Sequence, residues 1–325
     1  MGLTGWYVHH HGAGHLTRFR AVRPHLPGEV VVFSSLPAPA LPPGTTWVRL
    51  DPDNDRPPGS PDPALADPTV GGLLHWAPLG HPGHARRFAT IAGALGHRRF
   101  DRFVVDVSVE VALLVRLHGV PTVVVTQPGD RSDTPHKLAY ASASRILAPW
   151  PTGVHPSPAA HRIVEVGGIS RFDGRTRSSD PDPGTVLVLG NGVADSDLAA
   201  AAAATPGTRW QHAGGTASTW IEDPWEALQR AEVVVTAAGQ NSVADLAAAG
   251  ARAVVVPQPR PFDEQVATGR ILAERRLAVV SDAWPGADAW PGLLDRARAL
   301  EPDWTQWGVT GAARRAADAI AEVHA

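Results

Sequence analysis

Two glycine-containing turns hold the residues of this chain best suited to chemistry. The first is Gly12-Ala13-Gly14-His15-Leu16-Thr17-Arg18. Its glycines let the backbone approach a ligand closely, and the helix that follows aims its N–H groups and positive dipole end at whatever sits there. A phosphate or a developing oxyanion suits that place. His15, at the first helical position, is a titratable base at the mouth of a sheet. A plain helix cap with a surface histidine is the competing reading. The second turn is Ala237-Ala238-Gly239-Gln240-Asn241-Ser242, which again offers helix N–H groups to an anion, with amide and hydroxyl donors at hand. One turn on, Asp245 is placed for the two hydroxyls of a ribose. Phe262-Asp263-Glu264-Gln265 then supply the mixed donors and acceptors that a ring of sugar hydroxyls needs. Helix capping alone calls for fewer polar residues than these.

Other patterns fail. No G-x-x-x-x-G-K-[ST] is present, and neither Gly12-Ala13-Gly14 nor Gly190-Asn191-Gly192 completes G-x-G-x-x-G, so a P-loop and a usual dinucleotide fingerprint are excluded. His9-His10-His11 looks metal-binding, but adjacent side chains of a strand point to opposite faces, so at most two of them converge. Asp51, Asp53 and Asp55 resemble the start of a calcium loop, yet Arg56 stands where the turn glycine belongs and prolines follow. A solvated acidic loop is expected there.

These turns need strands and helices to position them, and the pattern supplies both. Strands are expected at 5–10, 29–34, 46–50, 102–106, 120–125, 162–166, 185–189, 232–236 and 253–256. Helices are expected at about 15–26, 83–97, 108–118 and 310–323, with another running through Asp245 to a glycine cap at Gly250. Continuous valine runs in the strands, with helices between them, indicate parallel sheets buried on both faces. Residues 51–68 are too rich in Pro and Asp to be regular. Proline-rich stretches near 149–160 and 173–184 divide the pattern. The expected domains are 1–166 and 185–325, joined by a linker at 167–184, with the last helix free to pack back on the first domain. In such sheets ligands bind beyond the carboxyl ends of the strands.

Composition narrows the function. The 325 residues carry 29 Lys+Arg against 32 Asp+Glu, a net charge of −3 that argues against nucleic acid as a partner. Thirteen of the 15 histidines fall before residue 166, and the acidic excess falls after it, as if the two parts had different jobs. With no cysteine there is no disulfide framework and no thiolate nucleophile. No apolar run approaches the length of a bilayer span, and the first residues do not resemble a signal peptide. A cytoplasmic protein is expected, at most peripheral at the inner face of a membrane. Leu73-Leu74-His75-Trp76, ahead of a basic stretch, is the segment for such contact.

The stretch from Asp223 to about Val280, DPWEALQRAEVVVTAAGQNSVADLAAAGARAVVVPQPRPFDEQ and onward, is similar to the donor-binding domain of GT-B glycosyltransferases. The likeness is to the N-acetylglucosaminyltransferase family of peptidoglycan lipid-intermediate synthesis, whose C-terminal domain is of the glycosyltransferase family 28 type. HGAGH resembles that family's N-terminal glycine loop. The resemblance implies an α/β architecture of two facing, doubly wound parallel-sheet (Rossmann-like) domains with a cleft between them. It implies a nucleotide-sugar donor, most simply a UDP-sugar, held by the second domain, with no cofactor and no required metal. By position, Gly12 and Gly14 with Gly190, Asn191 and Gly192 approach the phosphates, Gly239, Gln240, Asn241 and Ser242 meet the diphosphate, and Asp245 meets the ribose. Asp263, Glu264 and Gln265 meet the donor sugar, and the backbone at Ile221 reads the base. Two departures from the family are visible: Asp245 replaces a longer Glu, and Gln240-Asn241 replace smaller residues.

The mechanism implied is an inverting transfer to an acceptor hydroxyl, with His15 as base and the helix ends stabilising the leaving group. Asp106 either orients His15 or caps the helix near Ser108, and Glu110 is a competing base. Arg131, Asp133 and His136 follow another strand and are the candidate acceptor contacts, suited to an anionic or lipid-linked acceptor; an ordinary polar loop is the alternative. Gly12-Ala13-Gly14-His15-x-x-Arg18 also resembles the start of a UDP-sugar hydrolase, so hydrolysis or epimerisation is a second reading. A non-catalytic nucleotide-sugar binder is a third.

Overall fold

The computed structural model describes residues 2–56, 58–59, 62–154, 162–215 and 219–324. Its first sheet holds β1 (Leu3–Val8), β2 (Glu29–Ser34), β3 (Thr45–Arg49), β4 (Arg102–Asp106), β5 (Thr122–Val125), β6 (Arg145–Ala148) and β7 (Ile163–Glu165). Their order is β3-β2-β1-β4-β5-β6-β7, and every pairing is parallel. The second sheet holds β8 (Asp182–Leu189), β9 (Arg209–Ala213), β10 (Ala231–Thr236), β11 (Ala253–Val255) and β12 (Val279–Val280), in the order β12-β11-β10-β8-β9, again all parallel. Each sheet therefore reverses its winding once, between β1 and β4 in the first and between β8 and β10 in the second. Crevices open at such reversals, beyond the carboxyl ends of the strands.

The valine runs are explained by burial on both faces. Trp6, Val8, Val30, Val32 and Val104 point to one side of the first sheet, while Tyr7, Val31, Phe33, Phe103 and Val105 point to the other. Gly5 in β1 makes room for the neighbouring strand, because a Cβ there would fall 2.2 Å from the Phe103 ring. Helices α1 (Gly14–Val22) and α10 (Ala312–Ala321) cover the first side. Helices α2 (Pro82–His97), α3 (Val109–Leu117) and α4 (Thr134–Ser142) lie with the second. The second sheet is sandwiched likewise, with α6 (Trp225–Arg230), α7 (Gln240–Ala249) and α8 (Glu264–Glu274) on one face and α5 (Asp195–Ala204) and α9 (Trp290–Arg298) on the other.

Helix α10 comes from the far end of the sequence yet packs in the core of the first sheet. Ala312, Ala313, Ala316, Ala317 and Ile320 recur at helical spacing and are all but inaccessible, beside Trp6, Phe19 and Val22. Small side chains let the helix lie close to α1, and burying Ile320 alone is worth roughly 1.5–3 kcal/mol. The connection passes beside α7: a Cβ on Gly168 would fall 2.4 Å from the Trp307 ring and 3.3 Å from the Ala244 Cβ of that helix. The first helix ends earlier than the sequence suggested, at Val22, where Pro24 enforces a 3-10 turn. Strands β6, β9 and β12 were not anticipated: β6 (RILA) and β9 (RWQHA) lack the valine run that marked most of the others, and β12 is two residues long.

Candidate active site

His15 and Asp106 arrive from two neighbouring strands at the reversal point of the first sheet. His15 Nδ1 lies 2.9 Å from Asp106 Oδ1, and Arg18 donates to the same oxygen at 2.6 Å. Asp106 is fully buried. Burial by itself raises its carboxyl, but the Arg18 charge and the His15 contact outweigh it and hold the group below the ordinary carboxylate value. An ionised carboxylate only accepts, so His15 Nδ1 carries the hydrogen in this contact and the ring is oriented by it. Asp106 does not cap α3. Ser108 does so, accepting from the Val111 N–H at 3.2 Å. Between them Val107 adopts φ 66°, a strained conformation for a β-branched residue.

The same chain of bonds crosses to the second half of the molecule. Arg18 also donates to Gln240 Oε1 at 2.8 Å, and Asn241 Nδ2 donates to the Gly14 carbonyl at 2.8 Å. The starts of α1 and α7 thus face each other across a seam. Neither has a side-chain cap: Ala13 and Gly239 occupy the cap positions. Their first-turn N–H groups remain available to an anion.

The other expected donor residues fall into separate settings. Gly190 and Gly192 have φ 106° and 97°, so the turn after β8 needs them. Asn191 Oδ1 accepts from the Gly215 N–H at 2.7 Å, and the Asn191 carbonyl accepts from Gln258 at 2.8 Å. Gln265 is buried, and its Oε1 accepts the N–H groups of Ala238 and Gln258, tying two strand-end turns together. Glu264 pairs with Arg131 of the first half at 3.3 Å, while Asp263 is exposed in a left-handed conformation. Ser242 is half-buried in the first turn of α7, and Ile221 is exposed. Asp245 is turned inward: Ser170 donates to it at 2.6 Å and Arg171 approaches at 3.3 Å. Burial pushes its carboxyl up to about 6 despite those two partners. Beside the β8–β10 reversal lies a pocket of about 240 Å³ that Asn191, Gly192, Thr236 and Trp284 help to line.

A cavity of about 420 Å³ lies in the first half, lined by residues that include His9, His10, His84, Arg131 and His136. The His9 ring is 5.6 Å from that of His15. Arg131 donates to the Pro128 carbonyl at 2.9 Å and stacks over Phe262 of the second half at 4.6 Å. Asp133 caps α4, accepting from the His136 N–H at 3.0 Å. Glu110 accepts the N–H groups of His75 and Trp76 at 2.7 and 3.0 Å, which engages it in holding the 66–80 loop. The Asp51–Asp55 loop differs from expectation. Asp53 is buried and ion-paired with Arg87, which also donates to Tyr7. Its partner lies on α2, a distance in sequence that local composition does not reveal.

Among the described residues one group, His75, Asp133 and His136, brings possible metal-ligating atoms within 4.8 Å of one another. They are already bonded to each other, since His75 reaches Asp133 Oδ2 at 2.8 Å and His136 reaches Oδ1 at 2.5 Å. The adjoining Arg131 guanidinium adds positive charge. The site is better satisfied as a hydrogen-bonded triad than as a cation cage.

Comparison with known proteins bears on the fold and on the second half of the chain. Residues 211–274 match the glycosyltransferase family 28 C-terminal domain. Over their full length the coordinates resemble MurG of Acinetobacter baumannii, with a TM-score of 0.65 and 17% identity across 98% of this chain and 99% of that one. They also resemble the glycotransferase of kitacinnamycin, with a TM-score of 0.62 and 16% identity across 100% and 99%. The chain has the GT-B fold. In sequence it is 30% identical over 192 residues to the UDP-N-acetylglucosamine–N-acetylmuramyl-(pentapeptide) pyrophosphoryl-undecaprenol N-acetylglucosamine transferase of Rubrobacter xylanophilus. That match covers 50% of this chain and 56% of the relative, so it spans little more than half the relative's length.

Sequence reasoning missed several parts of this GT-B site. Arg18 was visible only as a letter in a motif, although it joins Asp106 to Gln240. The cavity behind the histidines was not foreseen, because its walls come from six segments far apart in the chain.

Proposed function

We propose that this protein is a glycosyltransferase that moves a sugar from a nucleotide-sugar donor to an acceptor hydroxyl with inversion at the anomeric carbon. One observation carries the reading: His15 is held through Nδ1 by buried Asp106 in the first turn of α1, whose uncapped N-terminus faces that of α7. The acceptor oxygen bonds to the anomeric carbon as the bond from that carbon to the diphosphate oxygen breaks. The hydroxyl proton passes to His15 Nε2, and the nucleoside diphosphate leaves with the electron pair. Backbone N–H groups at Gly239–Ser242 and around Gly190–Gly192 stabilise its charge without reorganising. UDP is the nucleotide that the sequence relatives favour, since the named activity of the Rubrobacter protein uses a UDP-sugar.

In this reading residues 185–325 are the donor side and 1–166 the acceptor side, with α10 returned to the latter. Gln240 and Asn241 set the distance between the sides while their backbone meets the diphosphate. Asp245 reaches a ribose by exchanging Ser170 Oγ for a sugar hydroxyl. Glu264 and Asp263 stand at the donor sugar, Gln265 fixes their turn, and Ile221 borders the base. The separate 420 Å³ cavity next to His9 favours transfer over hydrolysis, because water as acceptor requires no such space.

Thermal shift with nucleoside diphosphates and nucleotide sugars, without and then with magnesium, tests this. A ligand at 100 times its Kd stabilises the fold by about 2.7 kcal/mol, a visible rise in melting temperature. One nucleotide giving that rise without metal is expected. No rise with any of them overturns the reading.

A further inference from the structure

The cavity beside His15 has no free charge to offer. Arg87 is paired with Asp53. Arg131 is engaged by Glu264 and by the Pro128 carbonyl. Glu110 accepts from His75, Trp76 and Ser108. Three helices start at the cavity, and all are capped from within: α2 by the His81 ring, α3 by the Ser108 hydroxyl, and α4 by the Asp133 carboxylate, which puts negative charge where an anion would otherwise bind. Burial pushes His10 down to about 4 against the pull of Asp53 and lowers His9 and His84 as well, so these three imidazoles of the wall are neutral at pH 7.

What remains on the walls is aromatic and valine surface, imidazole nitrogen and the uncharged side chains of Asn54, Thr126 and Gln127. Tyr7, Trp76, Phe88 and Tyr140 contribute rings. His84 Nδ1 is buried with no hydrogen-bond partner among the described residues, a polar atom in want of a hydroxyl. A phosphate or carboxylate entering here would lose its water and gain no cation in exchange, which disfavours it. The volume, about 420 Å³, falls within the range of roughly 300–1,000 Å³ typical of pockets that enclose compact organic ligands.

We infer that this cavity seats the acceptor, and that the acceptor is an uncharged, hydroxyl-bearing ring compound rather than a lipid-linked diphosphate. The inference rests on the transfer reading above and narrows it: aromatic walls stack the ring, neutral imidazoles hold its hydroxyls, and one hydroxyl projects past His9 toward His15. It sets this chain apart from the curated relative, whose named acceptor carries a pyrophosphoryl group.

The test compares 2-naphthol, neutral at pH 7, with 6-hydroxy-2-naphthoate, the same ring bearing a carboxylate, and with farnesyl diphosphate, using fluorescence or calorimetric titration of the full chain. Binding of 2-naphthol at least tenfold tighter than either anion is expected. His84→Ala should weaken it at least threefold, in protein whose nucleotide-induced thermal shift shows it folded. Equal or tighter binding of either anion overturns the inference, as does 2-naphthol with no measurable binding at 1 mM; a nucleotide-induced shift in the same protein would leave the transfer reading standing. Absence of the nucleotide shift defeats that reading itself, whatever the naphthols do.

Discussion

Arg18 donates one hydrogen bond to Asp106 and another to Gln240, 222 residues away, so a single guanidinium ties the orienting carboxylate of the first half to the donor-side helix of the second. Removing it strands a fully buried carboxylate with only His15 as partner. Breaking a buried pair from one side costs about 3–5 kcal/mol. Arg18→Ala is therefore expected to lose that much stability in denaturant unfolding, and Arg18→Lys to recover only part of it, because Lys lacks the fork that serves both partners.

Gln240→Ala tests the other end of the same bridge. Asp106, Arg18 and His15 keep their mutual contacts, so the pH dependence of turnover should stay as in the wild type. Losing one hydrogen bond to a charged group costs about 1.5–3 kcal/mol. If that bond sets the spacing of the two helix ends, the donor KM rises while kcat changes little.

His15→Ala should reduce kcat by about 10²–10⁴, the usual worth of a positioned base. Nucleotide binding, read by thermal shift, should be unchanged. A variant with full turnover would remove His15 from the mechanism.

Asp245 makes a prediction about pH. Burial raises its carboxyl from an ordinary 3.8 to about 6, so the folded protein keeps this proton where the unfolded chain has lost it. The residue's contribution to stability is then largest at low pH and declines as pH rises from about 4 through 6. Relative to Asp245→Asn, the wild type should lose at most about 3 kcal/mol between pH 4 and pH 7, measured by urea unfolding at each pH.

Chelation provides a further check. The leaving diphosphate is met by helix N–H groups in this mechanism, so neither the nucleotide-induced thermal shift nor turnover should fall in excess EDTA. A fall restored by a divalent cation would redirect attention to His75, Asp133 and His136, the one candidate ligand group among the described residues.

Much of this was legible in the sequence because it is local. The glycine turns, valine strands and the α7 cap at Gly250 are written in consecutive residues, and the structure places Gly250 at φ 60° as that cap requires. The His15–Asp106 contact was within reach too, since Asp106 closes β4 and His15 opens the helix that follows the neighbouring β1. The environments of individual groups were not legible. Asp53 reads as solvated until Arg87 folds over it, and Asp245 reads as open until Ser170 and Arg171 close on it. Both depend on partners brought in by tertiary packing, which periodicity does not encode.

The position of α10 has a consequence for biosynthesis. The seven strands of the first sheet are complete by residue 165, but the helix that shields one face of them lies at residues 312–321. On a ribosome adding about 5–20 residues per second, that face waits about 7–30 seconds for its cover. During that interval an apolar strip that includes Trp6 and Phe19 is open to solvent, and chaperone capture of the nascent chain should be strongest between those two points of synthesis.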